Sequence, residues 1–229
     1  MKNNIYRYDD IDRNLRIARF RPLDILVICA TGAGKSYTLN MLFQQNVAKV
    51  GKSCEPETMK IESMKLNELL RFWDSPGLGD NVVADKQYGK ELIKLLYDDY
   101  YLDGNQYGLI DTVMVILDGS GRDMGTTYKL LNDVILPNFQ ANRILIAINQ
   151  ADMAMKGRHW DETRNCPDSV LRDFLENKVS SVQQRIKEAT GITIAKPIYY
   201  SAEKNFNVEK VLDFIINNMP SERRNLVNR

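Results

Sequence analysis

The segment Cys29-Ala-Thr-Gly-Ala-Gly-Lys-Ser36 decides how the rest of the sequence is interpreted. It follows the phosphate-loop pattern G-x-x-x-x-G-K-[ST] at Gly34, Lys35 and Ser36, while Cys29 stands where the pattern has its first glycine. A strand-length apolar run precedes the segment and an amphipathic stretch follows it. A loop that enters a helix N-terminus directs backbone N–H groups and the helix dipole at phosphate oxygens. The segment therefore predicts a strand–loop–helix unit that binds phosphate.

The residues of this loop have distinct expected roles. Gly32 and Gly34 keep side chains away from the phosphates, Lys35 brings a positive charge to them, and Ser36 offers an oxygen to Mg²⁺. The cysteine at position 29 can be interpreted in four ways. We favour the first, in which local packing tolerates its side chain. In the others it loosens nucleotide binding, is an altered residue, or is a redox-sensitive thiol. The residues expected to line the ligand are Thr31, Gly32, Ala33, Gly34, Lys35, Ser36 and Tyr37.

Apolar runs alternate with amphipathic stretches along the chain. The runs 25–29, 109–117, 144–148 and 197–200 have the length and near-continuous apolarity of parallel strands covered on both faces. Residues 58–73 indicate a hairpin, which places one antiparallel edge strand beside that sheet. Three sets of apolar residues have the spacing of one helix face. The first is Leu39, Leu42, Phe43 and Val47, and the second, which precedes Gly191, is Leu171, Phe174, Leu175, Val179, Val182 and Ile186. The third follows Asn207, the expected cap, and consists of Val208, Val211, Leu212, Ile215 and Ile216. This alternation predicts one α/β domain with a mostly parallel sheet.

Composition excludes several classes of protein. Of 229 residues, 44% are hydrophobic and 27% are charged, and the formal net charge is +1, so neither nucleic acid nor an anionic membrane is indicated as the main partner. The three cysteines and one histidine are too few and too scattered for a disulfide framework or a zinc site. The apolar runs fall short of the roughly 20 residues of a membrane span, and the N-terminus has no signal-peptide pattern. We expect a cytoplasmic protein without stable membrane insertion.

Three further motifs follow predicted strands. Asp74-Ser-Pro-Gly77 combines a carboxylate that can hold Mg²⁺ through water with a glycine N–H that can donate to a γ-phosphate. Asn149-Gln-Ala-Asp152 offers a carboxylate that can accept from N1–H and N2–H of guanine, a pair of donors that adenine lacks, which favours GTP over ATP. Ser201-Ala202-Glu203 can give a backbone N–H to guanine O6, although such a triplet is also typical of a helix cap.

The order and spacing of these motifs resemble a small GTPase-type G domain of the translation-factor-related P-loop class, in its Era-like and septin-like branches. The stretches A-T-G-A-G-K-S-x-T-L-N from Ala30 and W-D-S-P-G-L-G-D from Trp73 are most similar to bacterial Era-like GTPases. The resemblance implies a three-layer P-loop NTPase fold over residues 23–219, preceded by a helical extension, residues 1–22, and followed by a tail, residues 220–229.

The resemblance also implies an activity and the residues that perform it. GTP or GDP would be the ligand, and Mg²⁺-dependent hydrolysis of GTP to GDP and phosphate, as a slow molecular switch, would be the reaction. Thr58 and Gly77 would contact the γ-phosphate in the two switch segments, and with Lys35 they form the expected catalytic set. The expected Mg²⁺ ligands are Ser36, Thr58 and Asp74, and the expected base-binding residues are Asn149, Gln150, Asp152, Ser201 and Ala202.

Two departures from the family pattern bear on that activity. Gln150 stands where lysine is usual, so its stem can still lie over the purine but the charge is lost. Leu78 follows Gly77 in place of the glutamine that orients water in some relatives, so we expect slow intrinsic turnover. Together with Cys29, these departures motivate an alternative, a nucleotide-dependent interaction or dimerisation module with little hydrolysis.

The sequence leaves the partner open among an effector protein, ribosomal or other RNA, and a second G domain. If the last helix runs back toward the start of the first strand, Arg19, Arg21, Arg223 and Arg224 form one basic patch, a hint of an acidic or RNA partner; a solvated surface is the alternative.

Two segments beside the motifs are predicted separately. The first 22 residues form either a helix that packs on the domain through Ile11, Leu15 and Ala18, which we favour, or an arginine-rich arm. The long loop 153–166 either caps the core or offers a contact surface. The side chains in question there are Met153, Met155, His159 and Trp160.

Overall fold

The apolar runs of the sequence lie side by side in one sheet. The computed structural model describes residues 5–19, 22–48, 61–76, 82–121 and 125–226. The strands are β1 (Leu23–Cys29), β2 (Glu62–Lys65), β3 (Leu70–Asp74), β4 (Asp99–Leu102), β5 (Asn105–Gly108), β6 (Thr112–Asp118), β7 (Ile144–Asn149), β8 (Trp160–Asp161), β9 (Cys166–Pro167) and β10 (Ile198–Tyr199). Six of them form the main sheet in the order β10-β7-β6-β1-β3-β2, while β4–β5 and β8–β9 form separate two-stranded ladders. In the main sheet β2 pairs antiparallel with β3, and the other four pairings are parallel.

Helices cover both faces of this sheet. They are α1 (Tyr8–Ala18), α2 (Lys35–Phe43), α3 (Val82–Tyr97), α4 (Gly125–Leu130), α5 (Ser169–Thr190) and α6 (Val208–Asn217), and α4 continues into a π-helical turn, Leu131–Ile135. Within the described ranges, no helix has both the length and the apolar composition needed to cross a membrane.

The pleat of the central strand divides the core into two. Ile25 and Val27 of β1 pack in the cluster formed with α1, α2 and α6, whereas Leu26 and Ile28 pack in the cluster formed with α3 and α5. Successive side chains of a strand point to opposite faces, so a strand that is covered on both sides is apolar throughout. The three layers, with a mostly parallel sheet and an antiparallel edge strand, confirm the predicted fold class.

The structure corrects three local predictions. Val47 lies outside α2, because the helix ends at Phe43 and Gln44 takes a left-handed conformation with φ 53°. Phe174 was placed on the buried face of α5, but 39% of its surface is exposed. Asn207 precedes α6 as predicted, yet its side chain donates to the carbonyl oxygen of Tyr199 (3.2 Å) instead of capping the helix.

The hairpin of β4 and β5 is an addition that the sequence analysis missed. Its turn consists of Asp103 and Gly104, both with positive φ (50° and 77°). An Asp-Gly pair is a strong hairpin signal because two-residue turns favour residues that tolerate positive φ. The signal was therefore present, but the flanking residues are largely exposed and carry no apolar alternation that would mark them as strands.

The N-terminal helix packs on the last helix, as favoured from its apolar spacing. Ile11, Leu15 and Ala18 are buried. Ahead of the helix, the Arg7 guanidinium donates to Asp213 of α6 (2.8 Å) and the Tyr6 hydroxyl donates to the same carboxylate (3.1 Å). These contacts hold the two ends of the described chain together.

The C-terminal tail carries a buried arginine, which corrects the predicted basic patch. The Arg224 side chain donates from Nε to the carbonyl oxygen of Ile110 (2.6 Å) and from Nη2 to that of Leu96 (2.6 Å). Burial lowers the pKa of Arg224 to about 10. Arg224 is therefore a core residue, while Arg19 and Arg223 line one groove of about 430 Å³, and Arg21 lies outside the described residues.

We predict that Arg224→Ala lowers the free energy of unfolding by about 2–4 kcal/mol, because two buried carbonyl oxygens lose their donor and a cavity replaces the side chain. Urea denaturation measures the change. Arg16→Ala is the matched control, since its exposed guanidinium pairs with Asp12 on the same helix and with no other carboxylate among the described residues, and it should shift stability by less than about 1 kcal/mol. Equal effects of the two substitutions would contradict the anchoring role of Arg224.

Candidate functional site

The predicted phosphate loop joins the end of β1 to the start of α2. Gly32 and Gly34 have φ of 82° and 84°, a conformation that side chains other than glycine rarely adopt. A Cβ at Gly34 would also collide with the side-chain amide of Asn149. The Thr38 hydroxyl donates to the Gly34 carbonyl oxygen (2.9 Å) and contacts the Tyr200 hydroxyl (2.7 Å). The loop is thus held between α2 and the residues that follow β7 and β10.

Lys35 and Asp74 form a buried ion pair at the centre of the site. Lys35 is the first residue of α2 and Asp74 the last of β3, and the ammonium contacts the carboxylate Oδ1 directly. Because both side chains are more than nine-tenths buried, the two charges compensate each other in a region of low dielectric. The sequence predicted each residue separately, and the structure brings them together.

Asn149 connects the phosphate loop to the residues that follow β10. Its Nδ2 donates to the Ala33 carbonyl oxygen (2.9 Å), and its Oδ1 accepts from the Ala202 N–H (3.0 Å). The N–H of Ser201 in turn donates to the Phe206 carbonyl oxygen (3.0 Å). Ser201 and Ala202 therefore lie where the motif order predicted, but in this structure their N–H groups, proposed above for guanine O6, bind other protein atoms.

Gln150 contacts the phosphate loop through the amide that replaces the usual lysine. Its Nε2 donates to the Gly32 carbonyl oxygen (2.7 Å), and its backbone is left-handed with φ 59°. The residue therefore keeps a hydrogen bond to the loop without carrying a charge. This contact was not predicted, because the sequence analysis placed the Gln150 stem over the purine.

Asp152 lies next to these loops and has an unpaired acceptor. The residue is 4% exposed, and its Oδ1 is buried with no hydrogen-bond partner among the described residues. Leaving a buried charged oxygen without a donor is unfavourable by about 1–3 kcal/mol or more. The arrangement suits a ligand that brings its own N–H donors.

The described residues that were predicted to bind Mg²⁺ carry oxygen donors that fit this ion. Ser36, in the first turn of α2, has a hydroxyl, and Asp74 has a carboxylate, and hard oxygen donors are what Mg²⁺ prefers. The Lys35–Asp74 contact shows that the start of α2 reaches the end of β3. Among the described residues there is no group of three or more His, Cys, Asp or Glu side chains that could bind a metal by themselves. A two-ligand site completed by phosphate oxygens and water is the kind that Mg²⁺ normally occupies.

Other predicted positions are exposed or fall outside the described residues. Thr31, Gly32 and Tyr37 are exposed and do not pack in the core, and their contact with a ligand stays a prediction. The predicted γ-phosphate contacts Thr58 and Gly77, and with them Leu78, lie outside the described residues.

Cys29 has its side chain in the core. It ends β1, is 3% exposed, and belongs to the apolar cluster on the α2 and α6 side of the sheet. Burial raises the pKa of its thiol to about 11. These observations support the packing interpretation of Cys29 over the redox-sensitive thiol, since reactive cysteines have lowered pKa values.

The long loop after Asp152 packs partly on the core. Met155 and Trp160 contact the cluster of Ala151, Ala154, Leu171 and Leu175, whereas 47% of the Met153 surface is exposed. His159 Nδ1 lies 2.8 Å from Asp168 Oδ2. The core-capping interpretation thus holds for Met155 and Trp160 only.

No protein-family profile and no curated protein matches the sequence. Aquifex aeolicus Era bound to GDP and AlF4− is 13% identical with a TM-score of 0.52, and the alignment covers 88% of this chain and 58% of that one. A probable GTP-binding protein, EngB, is 16% identical with a TM-score of 0.51 over 85% and 97% of the two chains. One chain from a structural study of the chloroplast translocon components atToc33 and psToc159 is 16% identical with a TM-score of 0.66, and the alignment covers 94% of this chain and 90% of that one.

The chain has the G-domain fold. This confirms, for the fold, the resemblance to Era-like P-loop GTPases that the motifs predicted. The G domain described here spans 58% of the length of the matched Era chain.

We predict that Cys29 of the folded G domain resists alkylation by iodoacetamide at pH 8, while Cys166, which is partly exposed, reacts. A buried thiol with a pKa of about 11 is almost entirely protonated at that pH, and the thiolate is the reactive form. Peptide mapping by mass spectrometry measures both rates in one sample, and a sample in urea supplies the unprotected rate. Equal labelling of the two cysteines before unfolding would show that Cys29 is accessible.

Proposed function

We propose that this G domain binds GTP and GDP and hydrolyses GTP to GDP and phosphate with the help of Mg²⁺. The observation that carries the proposal is the buried, unpaired Oδ1 of Asp152 beside a loop with the glycines and lysine of a phosphate site. The proposal combines a base-binding part, which selects the nucleotide, with a phosphate-binding part, which performs the chemistry.

In the base-binding part, Asp152 is the proposed partner of guanine. Its carboxylate can accept from N1–H and N2–H of the base, which would satisfy the oxygen that lacks a donor in this structure. Adenine presents no such pair of donors and would leave the acceptor unpaired. Asn149 and Gln150 contribute indirectly, because their side chains hold the phosphate loop next to Asp152.

In the phosphate-binding part, Lys35 and the N-terminus of α2 are the proposed source of positive potential. The Lys35 ammonium is compensated by Asp74 in this structure, so a phosphate group would compete for it. Ser36 and Asp74 would hold Mg²⁺, which, when bound, would neutralise charge that develops on the transferring phosphoryl group. We propose further that Thr58 and Gly77 contact the γ-phosphate, so that its loss alters both switch segments.

The proposed turnover is slow, which makes the G domain a switch rather than a rapid hydrolase. Leu78 has no group that can orient water, and relatives that use glutamine at this position gain much of their rate from it. The chemistry then depends on charge stabilisation by Lys35, backbone N–H groups and the metal ion.

A second candidate function is favoured by one of the structural neighbours. Dimerisation is stated to be important for the GTPase activity of atToc33 and psToc159, whose fold aligns with 94% of this chain. By analogy, two copies of this G domain would associate when nucleotide is bound, with hydrolysis weak or dependent on the partner. This candidate differs from the first in predicting an activity that depends on protein concentration.

We predict that Asp152→Asn weakens GDP binding by roughly 100-fold and improves binding of xanthosine diphosphate. The asparagine amide can donate to the xanthine O2 atom, which replaces the guanine amino group, but it cannot accept both guanine donors. Calorimetric titration with each nucleotide measures the two affinities. Asp173→Asn, on the exposed side of α5, should change neither. If Asp152→Asn bound GDP as tightly as the unaltered chain, Asp152 would not be the base-recognition residue.

We predict that the purified chain releases phosphate from GTP with Mg²⁺ and that Lys35→Ala lowers this rate by roughly 100-fold or more, because a charge that faces the transition state is removed. Phosphate release under single-turnover conditions is the measurement, with circular dichroism as the check on folding. A rate no higher than that of Lys35→Ala would eliminate hydrolysis. A rate per molecule that rises with protein concentration would favour the dimerisation module over the autonomous switch.

A further inference from the structure

Lys178 of α5 binds a row of backbone carbonyl groups beside the proposed base site. Its ammonium donates to the carbonyl oxygens of Asp118 (3.1 Å), Gly119 (2.8 Å) and Gly121 (2.8 Å). The loop that begins at the end of β6, residues 118–121, is called the carbonyl loop below. Lys178 satisfies all three of its N–H donors there, although burial of the ammonium lowers its pKa.

The carbonyl loop lies directly against the base-recognition motif. The Gly119 N–H donates to the Asn149 carbonyl oxygen (2.7 Å), and Asp118 pairs with Asn149 in the β6–β7 ladder. The approach at Gly119 is close: a Cβ there would lie 2.5 Å from the Asn149 carbonyl oxygen and 3.1 Å from that of Gln150. A shift of the carbonyl loop toward β7 would therefore displace the backbone of Asn149 and Gln150, and a shift away would break the hydrogen bond to Asn149.

The opposite side of the carbonyl loop is stabilised by its own first residue. Asp118 Oδ1 accepts from the backbone N–H (2.7 Å) and the hydroxyl (2.6 Å) of Ser120. These bonds shape the turn internally, whereas Lys178 is what attaches the turn to α5. Removal of the ammonium would leave three partly buried carbonyl oxygens without this donor. The turn would then shift so that these oxygens could accept hydrogen bonds from water.

We propose that Lys178 is a positioning residue for base selection: it presses the carbonyl loop against Asn149 and Gln150 and so fixes Asp152 where it can accept from the guanine amino group. The proposal rests on the proposed function of guanine nucleotide binding. Its consequence is specific, because a displaced Asp152 loses more with guanine, which carries the 2-amino donor, than with hypoxanthine, which lacks it.

The test compares GDP with inosine diphosphate in calorimetric titrations of the unaltered chain and of Lys178→Met, which keeps the length of the side chain without its donors. We expect GDP affinity to fall roughly tenfold and the ratio of GDP to inosine diphosphate affinities to shrink toward one. A merely structural loss would lower both affinities by the same factor and leave the ratio unchanged. Lys187→Met, on the exposed side of the same helix, is the matched control and should alter neither affinity.

Gly119→Ala is the second variant, because it displaces the contact between the carbonyl loop and Asn149 while the Lys178 side chain is kept, and it should reduce the ratio in the same way. If Lys178→Met fails to fold, as seen by circular dichroism, Gly119→Ala decides the question. A ratio that stays at the unaltered value in the folded variants would overturn the role of Lys178. An unaltered chain that binds neither nucleotide would instead overturn the proposed function on which that role rests.

Discussion

The hydrogen bonds of the Asn149 side-chain amide are the interactions on which the rest of the site depends. It donates to the phosphate loop at Ala33 and accepts from Ala202, while the backbone carbonyl of the same residue accepts from Gly119. Three segments that are far apart in the sequence are thereby fixed to one buried residue. Since a buried amide is stable only when its donor and acceptor are both satisfied, the three segments must keep their relative positions. An aspartate in the same place would have no donor for Ala33.

The charged side chains of the site differ from one another in whether they have a partner. Lys35 and Asp74 compensate each other, whereas Asp152 keeps an acceptor without a donor. Removal of either partner of the ion pair would leave an uncompensated buried charge, whereas the Asp152 oxygen already has no donor among the described residues. Part of the binding energy of a guanine nucleotide would therefore come from relief of an unpaired oxygen, and part would be offset by exchange of the Lys35 partner. Such opposed contributions would permit selection of the base without extreme affinity, as the proposed release of GDP after hydrolysis requires.

The sequence predicted those parts of the fold and of the site whose structure is determined by residues close together in the chain. The strand, glycines and lysine around residue 32 form a local unit, and the strands 25–29 and 144–148 are apolar because both of their faces are covered. Arg224 and Lys178 could not be predicted, since each binds carbonyl groups of a segment more than fifty residues away and backbone carbonyls leave no trace in a sequence. Phe174 was misplaced for a related reason: helical spacing gives the side of a helix, but not how far the neighbouring elements extend over it.

Gln150 shows how such a site can keep its geometry while it changes its electrostatics. A lysine at this position would place a second ammonium near the phosphates, whereas the glutamine amide makes its hydrogen bond to Gly32 without adding charge. Because Coulomb attraction acts over several ångströms and a neutral hydrogen bond does not, a phosphate group bound at this loop would be attracted less strongly by the glutamine than by a lysine. Lys35 is then the one described cationic side chain that is both buried and part of the phosphate loop. In the proposed function, the remaining attraction for phosphate would come from the dipole of α2, from backbone N–H groups and from a bound metal ion. An ion held by Ser36 and Asp74 would therefore contribute a larger share of nucleotide binding here than in a G domain that retains the lysine.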